Sequence, residues 1–279
     1  MSNRPSKGFI FGTLAAAALI VGWGALSRRW KHVPLATGRL ELLNVPVDPL
    51  TMPEALARIE SFIFARTPHH VFTADALGIM RTQDDPELLD IVRQADLSTP
   101  DGAGVMFASG MHGVRLPERV SGVDLVEQLC AVSAVKGYRV YLFGAAQGIA
   151  EAAADCLTFR YPSLVIAGTR HGYFSPEEEA DIVRDIAAAK PDILFVALGI
   201  PKQELFIRRN FHALGVPAML GIGGSFDVIS GRLHRAPRWM QRMSLEWLYR
   251  LIQEPSRLPR ITTLPRFIMA AWKTRKANS

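Results

Sequence analysis

Short apolar runs alternate with longer stretches of helical spacing along most of this chain. The first run, residues 42–48 (LLNVPVD), reads as a strand. Residues 52–66 follow as a helix with Pro53 in its first turn, where a missing N–H is tolerated. Residues 69–75 (HHVFTAD) predict a strand, 85–95 a helix, and 96–102 (DLSTPDG) a strand and turn. A helix over 121–137 stops at Gly137. A strand over 139–148 runs into a glycine turn, and 149–161 follow as a helix. Residues 163–174 predict a strand, and 175–190 a helix opened by Ser175 and Pro176. A buried strand over 192–204, a helix over 205–214 and a strand over 217–227 that enters another glycine turn complete the pattern. Strands that are apolar throughout, alternating with helices, predict an α/β fold: a Rossmann-like, mainly parallel sheet covered by helices on both faces.

After Gly231 the pattern changes. Residues 235–260 read as a basic, Trp-rich helix closed by prolines, and 264–276 repeat that mix. Arg235, Arg238 and Arg242 fall on one helical face. Glu246 lies four residues from both Arg242 and Arg250 and pairs part of this charge. Trp239, Met240, Met243, Trp247, Leu248 and Leu251 supply an apolar side. Such a composition suits a membrane interface or an anionic lipid head group. A solvated basic face packed on the core is the plainer reading.

At the other end, residues 8–26 form a run of 19 residues without charge. A span needs about 20 apolar residues, so this segment predicts an N-terminal hydrophobic helix that anchors the chain. Its Gly and Ala content makes it a weak span. A signal peptide is the rival, but no clean small-x-small cleavage site precedes an acidic mature start. Flanking charges of +2 before and +3 after slightly favour a body on the cytoplasmic side. The chain thus divides into an anchor with basic flanks (1–31), a linker (32–41), an α/β core (42–231) and a basic, membrane-facing C-terminal appendage (232–279).

Composition changes this picture in two ways. The 279 residues are 49% hydrophobic and 21% charged, as a folded core of one large or two small domains requires. The charge is uneven: residues 1–31 hold five basic side chains and no acid, 32–231 hold 16 basic and 24 acidic, and 232–279 hold 11 basic and 2 acidic. The formal +6 is therefore made at the two ends. Basic ends on an acidic body point to an anionic partner: membrane lipid, nucleic acid or a phosphorylated substrate. The two cysteines, Cys130 and Cys156, sit in helix-like runs and argue against a disulfide scaffold. The seven histidines lack metal-ligand spacing, and QDDPE (83–87) opens a surface helix. Neither a metal nor a cofactor is expected.

Candidate chemistry gathers where strands end, because ligands of open parallel sheets bind beyond the carboxyl ends of the strands. Three of these ends are glycine-rich: FGAAQG (143–148), ALGIPKQE (197–204) and GIGGSFD (221–227). Glycines let backbone amides approach phosphate, and helix N-termini favour anions. Gly144, Gly199, Gly223 and Gly224 are accordingly candidates for binding a nucleotide-type ligand. No Walker motif and no full G-x-G-x-x-G is present. Lys202 and Gln203 stand in the first turn after a strand. Capping is the plainer reading there, with Pro201 first and Glu204 favourable to the dipole. A Lys in that turn opposes the dipole, however, and an amide beside it can read a sugar or base.

Thr73 and Asp75 end another strand, where N-capping is the ordinary role. Asp101 is likewise turn chemistry by residue type. Yet a single carboxylate at a strand end would suit deprotonation of an acceptor hydroxyl, and Gly102 and Gly104 leave room beside it. Arg119, before a helix that starts near Ser121, reads either as a surface salt bridge or as a bidentate phosphate donor.

Taken together, TADALGIM, TPDGAGVMF, RVSGVDL, LFGAAQG, FVALGIPKQE and the long string from GIGGSFDVISG to RLPR resemble the WecG/TagA/CpsF glycosyltransferase family. Their order and spacing match from about Asn44 to Arg260. The resemblance implies an inverting, metal-independent transferase with a Rossmann-like core and a basic C-terminal appendage that meets the membrane. Members move N-acetylmannosamine, or its uronic acid, from a UDP-sugar to GlcNAc-diphospho-undecaprenol. Others serve capsule, exopolysaccharide or teichoic acid assembly. The implied partners are a UDP-sugar donor, a polyprenyl-diphosphate-linked acceptor and membrane lipid, without nucleic acid. Oligomerisation is left open, and the implied location is the inner (cytoplasmic) membrane, facing the cytoplasm.

Carried onto this chain, the resemblance makes Asp101 the base and Thr73 a polar residue of the substrate pocket. Arg119 becomes a phosphate or substrate ligand, and Gln203 a polar active-site residue. Arg235, Arg238, Arg242, Arg250, Arg257 and Arg260 become ligands of the lipid diphosphate. One departure stands out: the family commonly has Asn where this chain has Asp75. An amide donates and accepts, whereas an ionised carboxylate only accepts. Asp75 therefore bears on sugar choice, and on a proton shared with Asp101 if the two lie close.

Two rival readings are weaker. A Rossmann dehydrogenase needs a glycine fingerprint with an acid about 20 residues later, and FGAAQG followed by Asp155 fits badly. A membrane-tethered protein that binds nucleotide or anionic lipid without catalysis has no need of PKQE and PDG at strand ends.

Overall fold

A computed structural model describes residues 38–237, 239–240, 246–254 and 262–277, with the side chains of 250 and 275–277 outside the description. The hydrophobic segment expected to anchor the chain (8–26) lies outside the described residues, as do Arg238, Arg242, Arg257, Arg260 and the side chain of Arg250. Among the described residues, no helix is long and apolar enough to cross a membrane.

The single strand expected over 42–48 is instead a hairpin. Strand β1 (Leu40–Leu42) pairs antiparallel with β2 (Val45–Val47). Leu43 and Asn44 form the turn with φ of 53° and 65°. A two-residue hairpin turn with both centres at positive φ matches the twist of its strands. Asn tolerates that backbone, whereas Leu gives no sequence signal for it. β1 also begins inside the stretch assigned to a linker.

The main sheet holds β3 (His70–Ala74), β4 (Leu97–Pro100), β5 (Arg139–Gly144), β6 (Val165–Arg170), β7 (Ile193–Ala197) and β8 (Ala218–Gly221). Their order is β4-β3-β8-β7-β5-β6, and every pair is parallel. The helices are α1 (Met52–Ala65), α2 (Ala76–Asp84), α3 (Pro86–Arg93), α4 (Ala103–Met111), α5 (Gly122–Lys136) and α6 (Ile149–Arg160), continued by α7 (Glu179–Ala189), α8 (Lys202–Arg209), α9 (Phe211–Leu214), α10 (Ser225–Ile229), α11 (Glu246–Gln253) and α12 (Thr263–Ala277). Strand residues alternate between two cores, as the pleat requires. Ile193, Phe195 and Ala197 of β7 join residues of α1, α5 and α6, while Leu194 and Val196 join α7 and α8. The expected parallel sheet, covered on both faces, is what the chain forms.

Several boundaries differ from expectation. β7 stops at Ala197 and α8 starts at Lys202, so residues 192–204 hold a strand, a turn and the start of a helix. The helix expected over 205–214 breaks at Asn210, whose side chain donates to the Phe206 carbonyl at 3.0 Å. Helices α2 and α4 follow β3 and β4 directly where the pattern showed only turns. Among the described residues of 235–260, the helix longer than a turn is α11.

α12 packs on the sheet side formed by α2 and α4. Phe267 and Ala271 are fully buried there with Ile79, Val105 and Ala108. His112 Nε2 donates to the Ala271 carbonyl at 2.9 Å. A Cβ at Gly104 would lie 2.9 Å from Leu264 Cδ1 and 3.1 Å from the Ala76 Cβ. The room expected beside Asp101 at Gly104 is thus filled by α12, whereas Gly102 (φ +84°) does face open space.

Candidate active site

Asp101 is fixed by its backbone before its side chain does anything. Its N–H donates to the Ala74 carbonyl and the Pro100 carbonyl accepts from Val120 N, both at 2.9 Å. The peptide is therefore held between the end of β3 and the segment leading into α5. Its Oδ2 accepts from Gly122 N at 3.1 Å. Gly122 is the first residue of α5, after the N-cap Ser121, so the carboxylate sits at the positive end of a helix dipole. A Cβ at Gly122 would lie 3.3 Å from Ser225 Oγ and 3.8 Å from Asp101 Oδ2. The end of β4, the start of α5 and the start of α10 thus meet around one carboxylate.

Thr73 and Asp75 come to the same end of the sheet with local bonds. The buried Thr73 hydroxyl donates to the Gly221 carbonyl at 2.8 Å and ties β3 to β8. Asp75 caps α2, with Oδ1 accepting from Gly78 N at 2.6 Å. Asp75 and Asp101 follow the paired positions Ala74 and Pro100 on adjacent strands. Their carboxylates nevertheless engage different helices, α2 and α5.

Gln203 and Glu204 form a second, fully buried pair in the first turn of α8. Gln203 Oε1 accepts from both Gly199 N and Gly223 N at 3.1 Å. Its Nε2 donates to Glu204 Oε1 at 2.9 Å. The Gly199 and Gly223 amides therefore point at Gln203 instead of standing open to a phosphate. Both glycines adopt left-handed backbones, with φ of 74° and 52°. Gly144 is glycine for a different reason: a Cβ there would lie 2.5 Å from the Ala197 carbonyl. Gly224 precedes α10 as its N-cap and Lys202 is exposed at the start of α8.

Glu204 was not singled out by sequence reasoning, since a Glu in a first helical turn ordinarily faces water. Here it is 0% exposed, and its Oε2 has no hydrogen-bond partner among the described residues. Burial raises its pKa to about 8; the Gln203 hydrogen bond opposes this rise and the charge of Asp75 adds to it. Its burial is matched by Gly221, where a Cβ would lie 2.6 Å from Gln203 Nε2 and 2.8 Å from Glu204 Oε1.

Arginine enters from two sides. Arg119 donates to Glu246 Oε2 at 3.0 Å. Arg235 forms a fork with Asp124 at 2.5 and 2.7 Å, and its Nε lies 3.6 Å from Glu246 Oε1. Glu246 of α11 thus stands between two guanidinium groups. Burial opposes ionisation of Asp124, but the Arg235 fork and the Ser121 hydroxyl more than offset it and hold its carboxyl below the ordinary value. Asp101, Arg119 and Arg235 are gathered around the start of α5, while Thr73, Gln203, Gly199 and Gly223 surround the ends of β7 and β8. Cys130 and Cys156 are free thiols. Among the described residues, no group of three or more His, Cys, Asp or Glu could hold a metal ion.

Residues 40–279 match the model of the "Glycosyl transferase WecG/TagA/CpsF family". The chain belongs to that family and is a glycosyltransferase. Its relatives are more particular. An "N-acetylglucosaminyldiphosphoundecaprenol N-acetyl-beta-D-mannosaminyltransferase" of Bacillus subtilis (strain 168) is 37% identical over 192 residues, covering 69% of this chain and 74% of the relative. The protein of the same name from Bacillus spizizenii is 36% identical over 209 residues, or 75% and 80% of the two chains. That of Staphylococcus aureus (strain MW2) is 31% identical over 242 residues, or 86% and 94%.

Proposed function

We propose that this chain is a UDP-sugar-dependent inverting transferase that moves N-acetylmannosamine, or a related sugar, onto GlcNAc carried by undecaprenyl diphosphate. The names of its relatives support the sugar and the acceptor. The observation that carries the mechanism is Asp101, its carboxylate set 3.1 Å from Gly122 N beside the open side of Gly102. Inversion is a single displacement. The acceptor hydroxyl attacks the anomeric carbon as the bond to the UDP oxygen breaks, and Asp101 takes the hydroxyl proton.

The donor lies over the ends of β7 and β8, where Gln203 fixes the turns. With the Gly199 and Gly223 amides engaged by Gln203, the diphosphate falls chiefly to Arg119. A phosphate presents the same fork as a carboxylate, so it can replace Glu246 on that guanidinium. Arg235 and the arginines that follow it hold the lipid diphosphate, and the enzyme works on the cytoplasmic side of a membrane in cell-surface polysaccharide assembly. Residues 8–26 and the basic C-terminal region keep it there.

Transfer from UDP-N-acetylmannosamine to a short-chain GlcNAc-diphospholipid tests this reading, and a screen across UDP-sugars identifies the donor. Asp101→Asn is expected to lose about 100-fold or more in rate. A variant that keeps near wild-type rate refutes the base assignment.

A further inference from the structure

We infer that Glu204 is a positioning residue for this site: its carboxyl orients the Gln203 amide, and that amide sets the glycine turns at the ends of β7 and β8. The inference deepens the sugar-transfer reading, on which it depends only for its kinetic consequence.

An amide side chain has two ends of nearly equal shape and opposite hydrogen-bonding sense. Only one orientation satisfies the surroundings of Gln203. Its oxygen faces two donors, Gly199 N and Gly223 N, each at 3.1 Å. Its nitrogen faces an acceptor, Glu204 Oε1, at 2.9 Å. Rotation by half a turn would set NH2 against two N–H groups and leave both glycine donors without an acceptor. Glu204 therefore fixes the amide from behind, and the amide joins two loops that are far apart in sequence.

Both turns need this fastening. Gly199 and Gly223 are left-handed, and among the described residues nothing lies within 4 Å of where a Cβ would stand at either. Their backbones have no side chain of their own to pack. Gly221 is the matching requirement on the sheet, because any Cβ there would collide with the Gln203–Glu204 pair.

The form of Glu204 follows from its surroundings. It is fully buried, makes no ion pair among the described residues, and Oε2 lacks a partner. Asp75, the acid that acts on it electrostatically, disfavours a second negative charge. An isolated buried carboxylate is too costly to persist, so Glu204 works as a neutral acid through the accepting oxygen Oε1. A glutamine at this position keeps that oxygen.

The test uses the full chain as wild type, Glu204→Gln and Glu204→Leu, with two readouts. Amide hydrogen exchange at Gly199 and Gly223 reports the clasp without any substrate. Steady-state kinetics with a UDP-sugar and a GlcNAc-diphospholipid separate donor KM, acceptor KM and kcat. In wild type and Glu204→Gln both glycine amides are expected to be protected, with similar kinetics. In Glu204→Leu both exchange faster, and donor KM rises about tenfold or more while acceptor KM holds, since small displacements at a reacting site are costly. Protected glycine amides in Glu204→Leu overturn the inference, as do faster exchange or a tenfold loss in Glu204→Gln. That second criterion stands even if the Leu variant fails to fold. An inactive wild type with the expected exchange pattern refutes the sugar-transfer reading and leaves the clasp intact.

Discussion

Asp75 and Asp101 are the same residue type at paired strand ends, and their surroundings separate them. Asp75 caps α2, while Asp101 faces the start of α5 beside an open glycine. Asp75→Asn should keep the cap, since Asn and Asp cap equally well. Melting temperature is expected to move little, and a change in the preferred UDP-sugar would place Asp75 in donor choice. Buried titratable groups make a second prediction. Glu204, with its pKa raised to about 8, contributes stability that is fully present below the ordinary carboxyl range and lost as pH rises through about 8. His70 is the opposite case: burial first, and then the charge of Arg208, lower its pKa to about 4. Its contribution is present above about 6.5 and lost as pH falls through about 4. The two contributions oppose each other between about pH 4.5 and 6.5, so thermal melts should fall as pH rises from about 6.5 to 8 and as it drops from about 4.5 to 4. Glu204→Gln is expected to flatten the alkaline limb by on the order of 2 kcal/mol, and His70→Phe to flatten the acid one. An unchanged alkaline limb in Glu204→Gln would show that its carboxyl is not held neutral.

At the scale of elements, the parallel strands were legible because burial on both faces leaves continuous apolar runs such as ILFVA and AMLG. Helices α2 and α4 were not, because turn residues (TAD and PDG) stand directly before ALGIMRTQD and AGVMFASGM, and much of their apolar face packs in the core that also holds α12. The hairpin escaped notice because Leu43 takes a left-handed backbone that its side chain does not advertise. Likewise, Asp101, Thr73 and Gln203 could be placed at strand ends from the sequence, whereas by residue type alone Asp101 and Thr73 read as turn or cap residues and the resemblance supplied their proposed roles. The burial of Glu204 was not legible, because it depends on the absent Cβ of Gly221, distant in sequence. The same reasoning about missing atoms applies to Gly144 between β5 and β7. Gly144→Ala sets a methyl 2.5 Å from the Ala197 carbonyl, and φ is already +123°. Neither strand can yield without breaking the ladder between Phe143–Gly144 and Val196–Ala197. Chemical denaturation should show a loss of about 1–3 kcal/mol, as for an overpacked core. A loss below about 0.5 kcal/mol would mean the two strands part easily.

For the whole molecule, charge separates the two ends from the body. Residues 32–231 carry 16 basic against 24 acidic side chains, and 232–279 carry 11 against 2. An anionic membrane therefore repels the body and attracts the C-terminal end. That end also exposes Trp239, Ile252, Met269 and Trp272. On α12, Phe267 and Ala271 face the core, while Met269 and Trp272, three residues apart, look outward. The end is pinned to the site as well, through Arg119–Glu246 and the Arg235–Asp124 fork. Whatever draws α11 and α12 to a lipid surface thus sets the start of α5, and Asp101 with it, against that surface. Burying one large apolar side chain is worth about 1.5–3 kcal/mol, so even partial insertion of several outweighs a few screened charges. Flotation of a chain lacking residues 1–31 with vesicles of anionic or zwitterionic lipid separates the two contributions. Binding is expected on anionic vesicles, weakening as salt shortens the Debye length to about 3 Å near 1 M. Changing Trp239, Ile252, Met269 and Trp272 together to Ser should reduce it about tenfold or more, since about 1.4 kcal/mol is a factor of ten. Undiminished binding by that variant would leave charge alone as the cause. Equal binding to both lipids at every salt concentration would remove charge from the account.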